Sequence, residues 1–386
     1  MFSKKIKITC FNFKKKNNQK IKKLFFEILQ KKNSSYRVIN TFSNNYQYSY
    51  NKKNIARFKK YKTLSIFGLG GSSLCIKAIY NFLRLKIKKK VYFYDNLNVA
   101  VPKIDKTKNL DIVISKSGST LETIVNQNIF SKSKKLFITE NKKSYLNDLA
   151  KKLKSEIIEH RNFVGGRYSA LSEVGMLPAE LLGLKKVKFK KFDNLIKNKD
   201  FMNTLINNVG MMHKLHSLGK TNSVILNFDS SLTSLLEWYQ QLLSESLGKK
   251  GKGFFPIISN LPKDNHSLMQ LYLDGNKNNF YTIFDIVDHN TPKIKNKNLA
   301  KGYNFLKNKS IKSVMIAQRE AVKKVFQKQG LKFRNFEIFN KDEESLGIIF
   351  TYFMLETILL GKLMKLNPFD QPAVESIKKE TKKVLS

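Results

Sequence analysis

Ser115-Lys116-Ser117-Gly118-Ser119-Thr120-Leu121-Glu122-Thr123 sets Ser115, Ser117, Ser119, Thr120 and one glycine between an apolar run and an amphipathic stretch. The run before it, Leu110-Asp111-Ile112-Val113-Ile114, has the β-branched composition of a buried strand, and residues 120–130 place Leu121, Ile124, Val125 and Ile129 at helical spacing. The hydroxyls therefore fall at a strand-to-helix turn, where the helix's unpaired N–H groups and positive dipole end face outward. A phosphate can be held there by backbone and side-chain donors together. Capping by Ser119 or Thr120, with Glu122 in the first turn, is the simpler alternative, but a cap needs only one hydroxyl.

Outward from this turn the chain alternates. Strands are expected at residues 64–67, 91–94, 110–114 and 135–139, with helices at 73–85 and 120–130 between them. The second half repeats the pattern, with strands at 223–228, 254–258, 280–287 and 333–339 and helices at 231–247, 313–328 and 343–365. Strands separated by helix-length segments predict βαβ units and parallel sheets covered on both faces, hence an α/β fold in two lobes. Residues 1–60, polar with aromatics interspersed and one helix-like stretch at 21–30, read as an N-terminal arm or cover. The lysine-rich residues 185–200 mark the expected boundary between lobes.

Composition narrows the class. The chain has 386 residues, 41% of them apolar, enough to bury one large or two medium cores. Cys10 and Cys75 are too few for a disulfide framework and neither belongs to a CxxC pair, which fits a reducing compartment. The first residues hold no apolar core of signal-peptide length, and no span of roughly 20 apolar residues is expected to cross a bilayer. A cytoplasmic protein with no membrane partner is the expectation. The formal net charge of +43, from 72 Lys and Arg against 29 Asp and Glu, would ordinarily raise nucleic acid first. Yet lysines are spread through every segment, often beside Asn and Ile, and no RNA-binding module or zinc-finger spacing accompanies them, so no specific nucleic-acid partner is expected.

Several further stretches carry chemistry. Phe67-Gly68-Leu69-Gly70-Gly71-Ser72-Ser73 follows a strand and opens a helix, but Ser73 replaces the third glycine of a dinucleotide fingerprint and no Walker lysine follows. It is either a backbone approach to an anion or a tight turn using glycine's freedom in φ. Val164-Gly165-Gly166-Arg167-Tyr168-Ser169 offers a permanent cation suited to carboxylate, phosphate or enediolate oxygens, or a capping turn with a solvated arginine. On the helix ending at Gly248, Gln241 and Glu245 are four apart and share a face, and a desolvated Glu245 could serve as a general base. His266, in Asn265-His266-Ser267-Leu268-Met269-Gln270, is one of five histidines, with His160, His213, His216 and His289. His213 and His216 are three apart with no Cys or third ligand near, so no metal site is expected. The tail carries Gln371 and Lys378, and in so lysine-rich a chain Lys378 by itself reads as a solvated face.

Taken in order, Gly-Leu-Gly-Gly-Ser at 68–72, Ser-Lys-Ser-Gly-Ser-Thr-Leu-Glu-Thr at 115–123, Gly-Gly-Arg-Tyr-Ser at 165–169, Gln-Gln-Leu-Leu-Ser-Glu-Ser-Leu-Gly-Lys at 240–249, His-Ser-Leu-Met-Gln at 266–270 and Asp-Gln-Pro-Ala-Val-Glu-Ser-Ile-Lys at 370–378 resemble the phosphoglucose isomerase family, built from two SIS (sugar isomerase) domains. The resemblance spans residues 67–378. It implies two SIS-type domains, each a mainly parallel sheet flanked by helices, at 61–190 and 191–366, after the arm at 1–60 and before a C-terminal helix at 367–386. It implies a cofactor-free interconversion of glucose 6-phosphate and fructose 6-phosphate through a cis-enediol. By the same resemblance Glu245 falls on the catalytic base, His266 on the ring-opening histidine, Lys378 on the active-site lysine and Arg167 on the arginine facing the intermediate. Ser115, Lys116, Ser117 and Thr120 fall on the sugar-phosphate loop, and Gly71, Ser72, Gln241 and Gln371 on further substrate contacts. The expected partners are a hexose 6-phosphate and a second copy of the chain, with His266 supplied across a homodimer interface. Two competitors remain at this point: an isomerase of another sugar phosphate such as mannose 6-phosphate, and a non-catalytic sugar-phosphate sensor. The chain departs from the family's pattern at Ala373, where glycine is usual, and at Pro372, where an aromatic often stands.

Overall fold

The structure, a computed structural model, describes residues 5–13, 18–97, 104–287 and 291–386. Met1 to Lys4, the lysines at 14–16 and His289 lie outside them. Among the described residues ten strands form two five-stranded sheets. The first holds β2 (Thr63–Phe67), β3 (Lys90–Tyr94), β4 (Asn109–Ile114), β5 (Lys134–Thr139) and β6 (Glu156–Glu159), all parallel, in the order β3-β2-β4-β5-β6. The second holds β1 (Ile6–Phe11), β7 (Asn222–Asn227), β8 (Phe255–Asn260), β9 (Asn279–Ile286) and β10 (Phe333–Ile338), in the order β1-β10-β9-β7-β8, parallel except for β1. The two mostly parallel sheets flanked by helices match the architecture expected from the alternation.

Both sheets obey the rule that parallel strands are covered on two faces. Every residue of β4 is buried, as are all but the first of β2, β7 and β9. The helix Gly71–Phe82 packs on the helix Thr233–Leu247, and one hydrophobic cluster runs without a break from Leu64, Ile66 and Ile112 of the first sheet to Phe284 and Phe336 of the second. A shared core of that extent holds the two lobes in fixed register, which is what places residues of one against those of the other.

Two expectations need correction. The N-terminal segment is more than a cover: β1 closes the second sheet by antiparallel pairing with β10, Ile6 opposite Ile338 and Phe11 opposite Phe333. Among the described residues one helix, Glu343–Leu363, is also long and apolar enough to cross a membrane by length and composition, where no such span was expected. Of its most apolar window, 89% is buried inside the protein, against the helices Lys199–Ser217, Thr233–Leu247 and Gln19–Gln30. A helix apolar on all sides is what a central core position requires.

Candidate active site

In the first sheet the order turns at β2 and β4, so the loops after these two strands flank the crevice where ligands of open α/β sheets bind. The loop after β4 is the hydroxyl-rich turn. Ser115 is buried, and its Oγ lies 2.8 Å from Thr120 Oγ1 and 3.4 Å from Ser117 Oγ, while accepting from the Gly118 N–H at 3.1 Å. Gly118 has φ +69°, and a β-carbon there would meet Ser144 Oγ at 2.1 Å, so only glycine makes this turn. Thr120 occupies the N-cap of the helix Leu121–Phe130, yet its side chain makes no capping bond. The hydroxyls are therefore not consumed by capping; they face each other across the turn, with Ser117 exposed and Thr120 half-buried. Lys116 turns sideways, donating to the Asn162 carbonyl at 2.7 Å and lying 3.6 Å from Glu140. Burial holds its ammonium below the usual lysine range, and Lys142 and Arg167 push the same way against Glu140.

The loop after β2 closes on the other lobe. Gly70 has φ +53°, and a β-carbon on it would lie 2.6 Å from Gln241 Nε2; one on Gly71 would lie 2.1 Å from the Gly166 carbonyl carbon. These two glycines let the loop at 68–72, the turn at 165–167 and the helix Thr233–Leu247 touch. Ser72 is half-buried on the first turn of the helix that begins at Gly71.

Arg167 sits at the centre of this junction, 1% exposed. Its Nε donates to Ser246 Oγ at 2.8 Å, Nη1 to Glu245 Oε2 at 3.0 Å and to Gln371 Oε1 at 2.6 Å, and Nη2 to the carbonyls of Pro368 at 2.8 Å and Asp370 at 3.0 Å. All five guanidinium N–H donors are engaged, which rules out the solvated capping arginine. Glu245 is partly open, its side chain 31% exposed, and its second oxygen accepts from Gln241 Nε2 at 2.8 Å. Among the described residues Gln241 Oε1 is buried without a partner, leaving an acceptor that a sugar hydroxyl could fill.

One chain thus brings Gly71, Arg167, Gln241, Glu245 and Gln371 together, with the loop carrying Ser115, Lys116, Ser117 and Thr120 close enough for Arg167 to act on the Lys116 charge. His266 and Lys378 are not part of this cluster. His266 is exposed and follows the carboxyl end of β8, whereas Glu245 stands on the helix that leads to the amino end of β8. Six strand residues, about 20 Å, separate those ends. Lys378 is 65% exposed and pairs with Glu375 at 2.6 Å on the helix Val374–Leu385, none of whose residues is buried.

Three supports were not singled out from sequence. Ser246 binds both Arg167 Nε and the Tyr168 hydroxyl, the latter at 3.0 Å. Trp238, fully buried, donates to the Arg167 carbonyl at 3.0 Å. Lys249 pairs with Asp370 at 2.6 Å and holds the segment whose carbonyls receive Nη2. Position offered a signal for Trp238 and Ser246, which share the buried face of their helix with Leu242 and Leu243.

With this geometry in place, comparison with known proteins is specific. A phosphoglucose isomerase family model matches residues 13–254, leaving His266, Gln371 and Lys378 beyond the matched part. The glucose-6-phosphate isomerase of Methanocaldococcus jannaschii is 29% identical over 357 residues, covering 85% of this chain and 86% of the relative. That of Staphylococcus aureus strain Newman is 30% identical over 353 residues, covering 82% and 78%. In fold, the chain is similar to a glucose-6-phosphate isomerase from Chlamydia trachomatis, with a TM-score of 0.68 at 19% identity over 86% of this chain and 71% of that one. A hypothetical protein from Thermus thermophilus is similar with a TM-score of 0.82 at 21% identity, each chain covered to 95%. A family model matching well over half of the chain, together with relatives alike along most of their length, shows that this chain belongs to the phosphoglucose isomerase family.

Proposed function

We propose that this chain is an aldose–ketose isomerase that interconverts D-glucose 6-phosphate and D-fructose 6-phosphate through a cis-enediol. The observation that carries the reading is the buried Arg167 guanidinium holding the Glu245 carboxylate at 3.0 Å, in contact with the loops that end β2. Moving a carbonyl between C1 and C2 needs a group that takes the proton from one carbon and returns it to the other, and a cation where negative charge develops on oxygen. Glu245 fills the first role and Arg167 the second. The hydroxyls of Ser115, Ser117 and Thr120, with the N–H groups that open the helix Leu121–Phe130, take the 6-phosphate, with Lys116 at the rim. Gln241, Gln371, Gly71 and Ser72 line the path between phosphate and carboxylate.

His266 and Lys378 complete the set in this reading: His266 opens the sugar ring and Lys378 approaches the oxygens of the open chain. His266 lies at the far end of β8 from Glu245 and is exposed, which favours its entry from a second copy of the chain in a homodimer. The exposed helix Val374–Leu385 carries Lys378 directly after the segment at 368–371 that Arg167 holds, which favours its reaching the same site. Residues 61–190 act as the phosphate-binding lobe and 191–366 as the lobe that supplies the base, within a cytoplasmic enzyme.

The test is steady-state turnover of the purified chain on glucose, fructose and mannose 6-phosphates. Interconversion of the first two at kcat of order 1 s⁻¹ or more supports the proposal, in line with the usual range for enzymes. Interconversion of mannose and fructose 6-phosphates with no turnover of glucose 6-phosphate, or binding of all three with no turnover, contradicts it.

A further inference from the structure

A second basic site lies away from this cluster. A cavity of about 730 Å³ opens where the segment before β2, the segment before β3 and the end of the helix Glu173–Leu181 meet. Lys52 and Lys59 line it from the first segment, Lys86, Lys88 and Lys89 from the second, and Lys185 and Lys186 from the residues after the helix. Its floor is Leu181, Leu182 and Leu184, all buried, and its one carboxylate is Glu180. Seven lysines to one acid far exceeds the chain's own balance of 72 cationic to 29 acidic residues, so the lysine-rich composition does not account for it.

Few of these charges are balanced. Lys86 pairs with Glu343 at 2.8 Å and Lys186 with Glu180 at 2.9 Å. Among the described residues Lys52, Lys59, Lys88, Lys89 and Lys185 form no ion pair. Lys89 donates to the Lys59 carbonyl at 2.8 Å, and burial together with the Lys59 charge pushes its ammonium below the usual lysine range. Lysines do complement a helix C-terminus, but the carbonyls of Pro178, Ala179 and Glu180 in the last turn of Glu173–Leu181 are already taken by the N–H groups of Leu182, Leu184 and Gly183. Five unpaired cations around one cavity repel each other until a counter-charge enters.

We propose that this cavity binds a compact polyanion, a small molecule carrying several phosphate groups. Its volume falls within the range of small-molecule sites. It is concave rather than a stripe, and its lining has no aromatic ring on which a base could stack, which favours a discrete ligand over a nucleic-acid strand. The site is separate from the phosphate cradle: its lysines precede the amino ends of β2 and β3, whereas residues 115–120 follow the carboxyl end of β4. Parallel strands of five and six residues put those ends about 16–20 Å apart.

The experiment is calorimetric titration of the full chain with inorganic tripolyphosphate at physiological salt. It compares wild type, the triple variant Lys88→Gln, Lys89→Gln, Lys185→Gln, and a control triple variant Lys301→Gln, Lys307→Gln, Lys309→Gln that removes the same charge elsewhere. Circular dichroism and urea unfolding confirm that each variant is folded. Only the difference between the two variants reports on the cavity, so binding in the cradle does not disturb the reading, and the result stands apart from whether the chain isomerises sugars. The cavity variant should bind about 10-fold more weakly than wild type and the control less than 2-fold more weakly. Equal weakening in both variants overturns the proposal, as does absence of wild-type binding beyond that of sulfate at equal ionic strength. A single-stranded RNA that binds through these lysines while tripolyphosphate does not also overturns it, in favour of a nucleic-acid surface.

Discussion

Arg167 Nη1 donates to Glu245 Oε2 at 3.0 Å and to Gln371 Oε1 at 2.6 Å, so one nitrogen joins residues 78 and 204 positions away in sequence. The guanidinium fixes the carboxylate's direction while its remaining donors are fixed by Ser246 and two carbonyls. Lysine cannot reproduce this fork, because an ammonium offers one compact point of charge. Arg167→Lys should lower kcat/KM by about 10²-fold or more, the cost of losing an oriented donor where charge develops. Steady-state kinetics on fructose 6-phosphate check it, and near-native kcat/KM would remove Arg167 from the reacting centre.

The cradle makes a different prediction. If its hydroxyls hold the 6-phosphate as proposed, they do so in both the bound substrate and the transition state, and losing them should weaken binding more than it slows chemistry. Ser117→Ala with Thr120→Ala should raise KM several-fold with a smaller change in kcat. Thr120 makes no capping bond to the following helix, and what the variant loses is the hydroxyl contacts among residues 115–120, so it should remain folded, with circular dichroism as the check. Unchanged KM would show that the phosphate binds elsewhere.

His160, 1% exposed, has its Nδ1 3.2 Å from the Arg161 carbonyl and its Nε2 buried without a partner among the described residues. Burial pushes its pKa down from 6.5 to about 4, and the Lys116 charge adds to that, against hydrogen bonding to Arg161 and the Glu140 charge. The unfolded chain therefore takes up this proton first as pH falls. The stability that the depressed pKa contributes is complete above about pH 6.5 and is lost on descent toward pH 4, by up to about 3 kcal/mol. Urea unfolding at pH 7.5 and pH 4.5 should show His160→Asn losing less of its stability over this interval than wild type. Parallel pH profiles would contradict a neutral buried His160.

Strands and helices with strong periodicity were legible because burial imposes it. Residues 110–114 and 223–228 are β-branched or apolar runs, and the structure places β4 and β7 there. The four-residue β6, with glutamate at both ends, gave no such signal at the sheet's edge. In β1 the alternation of Ile6, Ile8 and Cys10 is visible, but its partner β10 lies more than 300 residues on, a distance that no local pattern spans. At the site, motif order alone pointed to Arg167, Glu245 and Gln371, and the fold brings them into hydrogen-bond contact. That Arg167 is fully bonded rather than solvated followed only from the packing of the segment at 368–371, which local spacing does not encode. His266 and Lys378 stand apart for a physical reason: one is at the opposite end of β8, and the other is on a helix with no packed face.

The central claim is that Glu245 carries a proton between C1 and C2. Fructose 6-phosphate turned over by wild type in deuterium oxide, with the product read by mass spectrometry and NMR, tests it directly, run beside Glu245→Gln. The amide keeps an oxygen for Arg167 to donate to but cannot take a proton from carbon. Deuterium is expected at C2 of the glucose 6-phosphate formed by wild type, with turnover by the variant at least about 10²-fold slower while it still binds the sugar phosphate. Product free of deuterium at C2, or a variant as fast as wild type, would contradict it.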